Sequence, residues 1–392
     1  MNFAALKIVF FHSEEISVDS IMWGLLELGL QVENPPIRVA LHRWDEEMID
    51  TIVSYIEKCD VVITQNFAIS VAEACHRKNK TYISWIYDSP QRALYMKEAL
   101  YETNYVFCFD RRQVSRMTQQ GLSHVFYCPL AANITKASLL HVSDEEIRKY
   151  QGDISFVGSL YHKDYFDPLQ AQMPQEEKQR LEAVVRSLFL KWEPGRYAYD
   201  RFDENLVRYI DQVANHEDFE KYDMPLRFMY ENMILIPLVA YKERTAILKA
   251  LGERFDTHLY TKKPETVTGL GNVQIHDAVD YDTDMFKVFF SSKINLNITM
   301  RGIETGIPQR VFDVMSVGGL VMSNYQEEAE VLFEPEKEIV LFRSLEELKD
   351  KAAYYLTHEK ERLTIALNGY KRVKECYNYQ VLLLYIFKQV FG

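Results

Sequence analysis

The sequence lacks the features that mark disulfide-rich, membrane-spanning or nucleic-acid-binding chains. Five dispersed cysteines in 392 residues, without a CxxC spacing, argue against a disulfide framework or a zinc site and favour reduced thiols in the cytoplasm. No stretch approaches the roughly 18 consecutive apolar residues of a membrane span, and the first apolar run has no basic leader. Lys and Arg number 45 against 57 Asp and Glu, a net charge of −12, which disfavours nucleic acid and anionic membranes as partners. We therefore expect a cytoplasmic protein with no transmembrane segment and no nucleic-acid partner.

Two further absences narrow the chemistry. No G-x-G-x-x-G follows any predicted strand, which argues against an NAD-dependent oxidoreductase. No group of carboxylates, histidines and cysteines has the spacing of a metal site. We expect neither a metal nor a cofactor.

Short apolar runs, rich in β-branched and aromatic residues, predict buried strands in the first 150 residues. These runs are Lys7–Phe11, Asp60–Thr64, Thr81–Tyr87, Tyr105–Phe109 and His124–Leu130. Segments with helical spacing of apolar residues separate them, as expected for parallel βαβ units. A second alternating series begins near Asp153, is interrupted by a polar helical stretch at about Pro168–Ile236, and resumes near Thr245.

The length suits two domains. We predict an α/β chain with two Rossmann-like doubly wound domains facing across a cleft and a helical insertion at about 168–236. The predicted N-terminal domain is 1–150, and the predicted C-terminal domain is 151–376. The apolar helix in 377–392 needs a partner surface, for which the first domain is a candidate. Ligands of doubly wound sheets bind at the carboxyl ends of the strands.

The segment Ser292–Glu338 carries the most chemical information. A predicted strand, Ile294–Ile298, leads through a loop to a helix at Gln309–Ser316, whose N-terminus suits a phosphate. In that helix, Arg310 could clamp a diphosphate and Asp313 could accept ribose hydroxyls. The alternative is an ordinary βαβ corner with a surface arginine and aspartate.

Here the sequence resembles known enzymes. RVFDVMSVGG followed by LVMSNYQEEAEVLF resembles the donor-site signature of GT-B glycosyltransferases. Three segments are more similar to the spore-maturation-type (CgeB-like) glycosyltransferases: WIYDSP at Trp85–Pro90, DISFVGSLY at Asp153–Tyr161 and SKINLNIT…IPQRVFD at Ser292–Asp313. The resemblance implies a GT-B architecture, with 1–150 as the acceptor-side domain and 151–376 as the nucleotide-sugar-binding domain. It also implies a bacterial, metal-independent transferase that moves a hexosyl or N-acetylhexosaminyl group. The expected donor is a nucleotide diphosphate sugar, with UDP as the expected nucleotide, and the expected acceptor is a protein or a glycan.

The resemblance also implies a set of donor-binding residues: Gly158, Ser159, Lys163, Thr305, Arg310, Asp313, Ser323, Asn324, Tyr325 and Glu330. Asp313 matches the second acidic residue of the family's E-x7-E pattern. Thr305 stands where the first Glu is expected, so the usual carboxylate contact to the donor sugar lacks its residue. The loop after the strand at Val273 is expected to recognise the base, through His276, Asp277 and Tyr281.

The predicted N-terminal domain supplies the candidate catalytic residues. Asp88 follows a buried strand, so it is expected at the carboxyl end of the sheet, where it could be the general base of an inverting enzyme. The alternative is that Asp88 caps the next helix. His12, after the first strand, is the second candidate. The E-x7-E resemblance favours retention and Asp88 favours inversion, so the stereochemistry stays open.

Two other functions fit the same pattern. A sugar-nucleotide epimerase of similar fold would convert the donor alone. A non-catalytic sugar-nucleotide or glycan-binding protein would explain Thr305 in place of a carboxylate.

Overall fold

A computed structural model of the protein describes residues 5–13, 15–161, 173–195, 197–213 and 224–392. Contacts divide the chain into two compact units. The first is built mainly from Met1–Asn133 and Glu375–Gly392, and the second from Ile134–His216 and Pro225–Lys374. Across the described residues, no helix combines the length and the apolar character that a bilayer crossing requires.

The first unit contains a six-stranded parallel sheet in the order β2-β1-β3-β4-β5-β6. Its strands are β1 (Lys7–Phe11), β2 (Gln31–Glu33), β3 (Val61–Gln65), β4 (Thr81–Ile86), β5 (Asn104–Cys108) and β6 (Val125–Tyr127). Its helices are α1 (Val18–Glu27), α2 (Glu46–Ile56), α3 (Ile69–Lys78) and α4 (Arg111–Gln119), with 3-10 turns at Arg92–Tyr95 and Lys97–Leu100. The central strands are buried along almost their whole length because helices cover both faces of a parallel sheet.

The second unit contains another six-stranded parallel sheet, in the order β12-β11-β10-β7-β8-β9. Its strands are β7 (Gly152–Val157), β8 (Thr257–Thr261), β9 (Gln274–Asp277), β10 (Ser292–Asn297), β11 (Val321–Asn324) and β12 (Val340–Phe342). The helices that precede β8 in the chain are α5 (Ile134–Ser138), α6 (Asp144–Tyr150), α7 (Gln175–Leu188), α8 (Glu204–Val213), α9 (Leu226–Tyr230) and α10 (Ile236–Gly252). A π-helical turn at Glu231–Leu235 joins α9 to α10, and a 3-10 turn at Pro264–Thr266 follows β8. The later ones are α11 (Met285–Ser291), α12 (Gln309–Ser316), α13 (Glu327–Leu332), α14 (Leu345–Thr357) and α15 (Glu359–Cys376).

The last helix, α16 (Tyr379–Phe391), packs on α1 within the first unit. Gly24 makes the close approach possible, since a Cβ there would lie 2.8 Å from side-chain atoms of both Tyr379 and Leu383. The buried faces of both helices join one hydrophobic core with β1, β3, β4 and β5. Covering an apolar helix face in this way is a main source of its stability.

Each sheet has one topological switch point, where successive strands depart in opposite directions. In the first unit it lies between β1 and β3, and in the second between β7 and β10. Open α/β sheets bind their ligands at the carboxyl ends of strands beside such a point. Ligand-binding residues are therefore expected in the loops that follow these four strands.

The local structure differs from the prediction in three places. The edge strand β2 and helix α2 were not predicted, and the segment between β4 and β5, where a helix was expected, forms two 3-10 turns. Backbone conformation explains the interruption, because Met96 is extended between the two turns.

Candidate functional site

Gly158 ends β7 at the switch point of the second unit. Its φ of 154° is one that residues with a side chain rarely adopt, and a Cβ there would lie 2.5 Å from Nη2 of Arg310. Its N–H donates to the carbonyl of Tyr260, 2.9 Å away. Ser159 follows as an exposed residue, with its Oγ accepting from the N–H of Tyr161. The glycine therefore leaves room for a guanidinium directly over the turn.

Arg310, in the first turn of α12, spans the switch point. Its Nε donates to the carbonyl of Val157 at the end of β7 (2.7 Å), and its Nη1 donates to Oδ1 of Asn297 at the end of β10 (2.8 Å). The guanidinium also lies 5.0 Å from the ring centre of Phe156. Burial, and then the charge of Arg244, lower the pKa of Arg310 to about 10, so it stays cationic at neutral pH.

Arg244 of α10 is the second cation at this turn, and sequence reasoning missed it. It is buried, donates to the carbonyls of Ser159 and Ile298, and lies 5.2 Å from the ring centre of Phe156. Burial lowers its pKa, and its Nε has no hydrogen-bond partner in the described part of the chain. Within the described ranges, no carboxylate forms an ion pair with Arg244 or Arg310. Lys163, the cation expected here, lies outside the described residues.

Asp313 lies one turn beyond Arg310 and is almost completely buried. Its Oδ1 accepts from Nε2 of Gln309 (2.7 Å) and from the hydroxyl of Tyr281 (3.2 Å). Burial raises the pKa of Asp313 to about 7, although both hydrogen bonds and the charge of Lys136 act against that rise. The structure thus brings together α12 and the loop after β9, two segments that the sequence assigned to the ribose and the base.

His276 and Asp277 do not join that group through any described contact. The ring of His276 stacks on those of Tyr260 and His258, at 4.6 and 5.1 Å between centres, and its Nε2 lies 2.9 Å from Nδ1 of His258. Burial and His258 lower the pKa of His276. Asp277 is exposed. Of the three residues expected to recognise the base, only Tyr281 contacts Asp313.

Thr305 and Glu328 form a buried pair beside the loop after β10. The Thr305 hydroxyl donates to Oε1 of Glu328 (2.8 Å), and the Glu328 N–H donates to the Thr305 carbonyl (3.0 Å). Glu330 is instead an exposed residue, whose carboxylate accepts from Arg343 (2.8 Å) and from Tyr325 (3.3 Å). The carboxylate that lies next to Thr305 is therefore that of Glu328.

Ser323, Asn324 and Tyr325, at the end of β11, are all buried. Ser323 Oγ accepts from Nδ2 of Asn297 (2.9 Å), and Asn324 Oδ1 accepts from the N–H of Thr299 (2.6 Å). The N–H of Tyr325 donates to a carbonyl of β12. These side chains tie the ends of β10 and β11 together, and Asn297 links them to Arg310.

In the first unit, Asp88 follows β4 and is held by Asn66. Nδ2 of Asn66 donates to the Asp88 carboxylate (3.1 Å), while its Oδ1 accepts from the N–H groups of Tyr87 and Asp88. Asn66 has a positive φ of 59° at the end of β3, beside the switch point. Asp88 is exposed, yet the surrounding protein, and then Glu15, raise the pKa of its carboxyl.

The two candidate catalytic residues of this unit, Asp88 and His12, lie in different surroundings. The 3-10 turn that follows Asp88 starts at Arg92, with Gln91 as its N-cap residue. The carboxylate of Asp88 accepts from Asn66 and does not cap that turn. His12 is buried at the end of β1, where its carbonyl accepts from the N–H of Val39. Among the described residues, no group of three or more His, Cys, Asp or Glu is placed to hold a metal ion.

Most of the candidate site lies in a segment that matches a known protein family. Residues 242–386 match the family described as Glycosyl transferase-like. No curated protein matches the sequence.

Solved structures of similar fold extend over the whole chain. The HepE protein of Anabaena in complex with UDP-glucose matches with a TM-score of 0.51 and 12% identity, over 98% of this chain and 99% of that chain. Sucrose-phosphate synthase of Thermosynechococcus elongatus matches with a TM-score of 0.52 and 10% identity, over 100% and 97%. A glycosyltransferase of Rickettsia africae matches with a TM-score of 0.51 and 10% identity, over 99% of both chains. The chain therefore has the GT-B fold, and residues 242–386 match the Glycosyl transferase-like family.

Proposed function

We propose that this protein transfers a hexosyl or N-acetylhexosaminyl group from a UDP-sugar to a protein or glycan acceptor. The observation that carries the proposal is the pair of guanidiniums of Arg244 and Arg310 around the turn at Gly158. Two cations with no carboxylate partner in the part of the chain that the structure describes, at the switch point of a doubly wound sheet, suit a diphosphate. The similarity of fold to a protein solved with UDP-glucose supports the choice of donor.

The two arginines would act on the leaving group. When the bond from the sugar to the diphosphate breaks, negative charge grows on the departing UDP, and fixed cations in a partly buried site stabilise that charge. Because Arg310 keeps its proton at neutral pH, it can act without a change of state. We propose that these side chains make a metal unnecessary, so that activity persists when EDTA is present.

The nucleoside would lie on the other side of α12. Asp313 and Tyr281 form one hydrogen-bonded pair, and the cation of Lys136 lies 4.6 Å from the Tyr281 ring centre. Ribose hydroxyls that donate to Asp313 would favour its charged form, as Lys136 already does. We assign ribose binding to Asp313, and base contact to the loop that carries Tyr281.

We propose that Glu328 supplies the carboxylate that Thr305 lacks. It accepts a hydrogen bond from Thr305 and so brings an acidic group to the position where the family pattern has one. Because Glu330 is paired with Arg343 at the surface, we give it a structural role in place of the donor contact first expected. The sugar hydroxyls would then be bound by a residue two positions earlier in the same helix.

Asp88 is our candidate for the general base. Asn66 holds its carboxylate at the end of β4, and the raised pKa brings it closer to the working pH, as general-base catalysis favours. The motifs WIYDSP and DISFVGSLY support a place in the spore-maturation-type branch of bacterial enzymes. Five cysteines without a disulfide support a cytoplasmic location.

Calorimetric titration with UDP, GDP and ADP tests the donor assignment. We expect saturable binding with UDP preferred, and no binding of any of the three would remove the donor site. Product analysis after incubation with UDP-sugars, with and without EDTA, then tests the reaction. We expect release of UDP and free sugar when water is the acceptor. Nucleotide binding without turnover of any donor would indicate the non-catalytic function, and an isomerised UDP-sugar would indicate an epimerase.

A further inference from the structure

A groove between α7 and α10 has no part in the proposed reaction. It encloses a cavity of about 570 Å³, within the range of small-molecule sites. Each helix lines it with one continuous stripe, and both stripes have the spacing i, i+3, i+4, i+7, i+8, i+11. The stripes are Lys178, Leu181, Glu182, Val185, Arg186 and Phe189 on α7 and its C-terminus, and Leu238, Tyr241, Lys242, Thr245, Ala246 and Lys249 on α10. Such stripes are the faces with which helices normally pack on each other. Here they are separated by a cavity.

The floor of the groove is apolar. It is formed by aliphatic side chains such as Leu181, Val185, Leu238 and Ala246. Oγ1 of Thr245 is buried in this floor and has no hydrogen-bond partner among the described residues. A nucleotide or a sugar needs several donors and acceptors, which this floor does not offer, whereas a hydrocarbon chain needs none.

The rim is basic. The cations that line the groove are Lys178, Arg186, Lys242 and Lys249, and Glu182 is the single acid among its described lining residues. None of the four cations forms an ion pair with another residue that the structure describes. This cluster stands out in a chain whose net charge is −12. An unpaired basic rim around an apolar floor is complementary to a ligand with an anionic head and an apolar tail.

We propose that this groove binds a single-chain anionic amphiphile of the fatty-acid class. The hydrocarbon tail lies along the floor between the two helices, and the carboxylate is held by the rim cations. The stripe from Lys178 to Phe189 extends about 16 Å at the rise of an α-helix, which suits a medium or long acyl chain. Arg244 and Glu243 leave α10 toward Ser159 and Arg301, so the groove is a separate site from that of the nucleotide. The proposal does not depend on the glycosyltransferase assignment.

A fluorescence titration with 11-(dansylamino)undecanoic acid tests the proposal. Octanoate, decanoate, laurate and myristate serve as competitors, all below their critical micelle concentrations. We expect saturable binding, with the affinity of the competitors rising about fourfold per added methylene until the groove is full. Dodecanol should compete at least about tenfold more weakly than laurate, because it lacks the charge that the rim recognises. No saturable binding, or equal competition by dodecanol or dodecyltrimethylammonium, would overturn the proposal.

Variants locate the binding in the groove. Ala246→Trp fills the floor and should abolish probe binding. The double variant Lys242→Glu with Lys249→Glu changes only exposed side chains, so it should fold and weaken laurate binding by about tenfold or more. The matched control is Lys360→Glu with Lys371→Glu, which makes the same change of net charge at exposed positions away from the groove. Equal weakening of laurate binding in both double variants would show that the effect comes from overall charge, and that the groove is not the binding site.

Discussion

Replacing Asp313 by asparagine should change folding stability and nucleotide binding in opposite directions. The carboxyl of Asp313 is buried and has a pKa of about 7, against an ordinary value of 3.8. The folded protein therefore holds a proton that the unfolded chain releases at lower pH. The contribution of this carboxyl to the free energy of unfolding is fully present below pH 3.8 and decreases as the pH rises. Above pH 7 it no longer changes. Asparagine keeps an acceptor for Gln309 and Tyr281 and has no proton to release.

The magnitude follows from proton linkage. Between pH 5 and pH 8, a shift of this size lowers the free energy of unfolding of the wild type by about 2.5 kcal/mol. Groups that titrate identically in both proteins cancel when the variant is compared with the wild type. Asp313→Asn should therefore gain about 2.5 kcal/mol over this range relative to the wild type.

Urea unfolding of both proteins at several pH values between 5 and 8 measures the difference, and calorimetry at pH 8 measures UDP binding. We expect the stability difference to grow with pH, while the affinity of the variant for UDP falls about tenfold to a hundredfold, because an ionised acceptor is lost. Parallel stability profiles would refute the assignment of the raised pKa to Asp313. Unchanged UDP affinity would refute its contact with the nucleotide.

Three further variants test other parts of the site. Gly158→Ala should displace the guanidinium over the turn and weaken UDP binding by about tenfold or more, measured by calorimetry, because its Cβ would overlap Arg310. Glu328→Gln should lower kcat/KM for the UDP-sugar by about tenfold to a hundredfold, whereas Glu330→Gln, the control, should leave it unchanged. Asp88→Asn should lower kcat of transfer by about a hundredfold or more with UDP affinity unchanged. A loss of UDP affinity would indicate that Asp88 acts in nucleotide binding and not as the general base.

Much of the fold could be predicted from the sequence because the central strands are continuous apolar runs. The edge strand β2, Gln-Val-Glu, has two exposed polar residues and no such signal. Helix α2 did carry a usable signal, since Ile49, Ile52 and Ile56 are buried at helical spacing behind an Asp45 cap. The interruption at Met96 has no clear signal in the local pattern.

Less of the candidate site could be predicted. A strand followed by Gly158, and a helix carrying Arg310 and Asp313, are local patterns that the sequence displays. Arg244 could not be recognised, because its position in the middle of α10 is joined to the turn only by tertiary contacts. Glu328 and Glu330 are two residues apart on a helix, so they face in nearly opposite directions, and a motif read along the chain cannot distinguish them.

Turnover of a UDP-sugar by Arg310→Ala, compared with Arg254→Ala, tests the central claim most directly. Arg254 is an exposed arginine in the same unit and controls for the loss of one positive charge. If Arg310 stabilises the departing diphosphate, its replacement should lower kcat by about 30- to 1,000-fold, equivalent to about 2–4 kcal/mol, while the control keeps wild-type turnover. Equal turnover in the two variants would show that Arg310 does not stabilise the departing diphosphate.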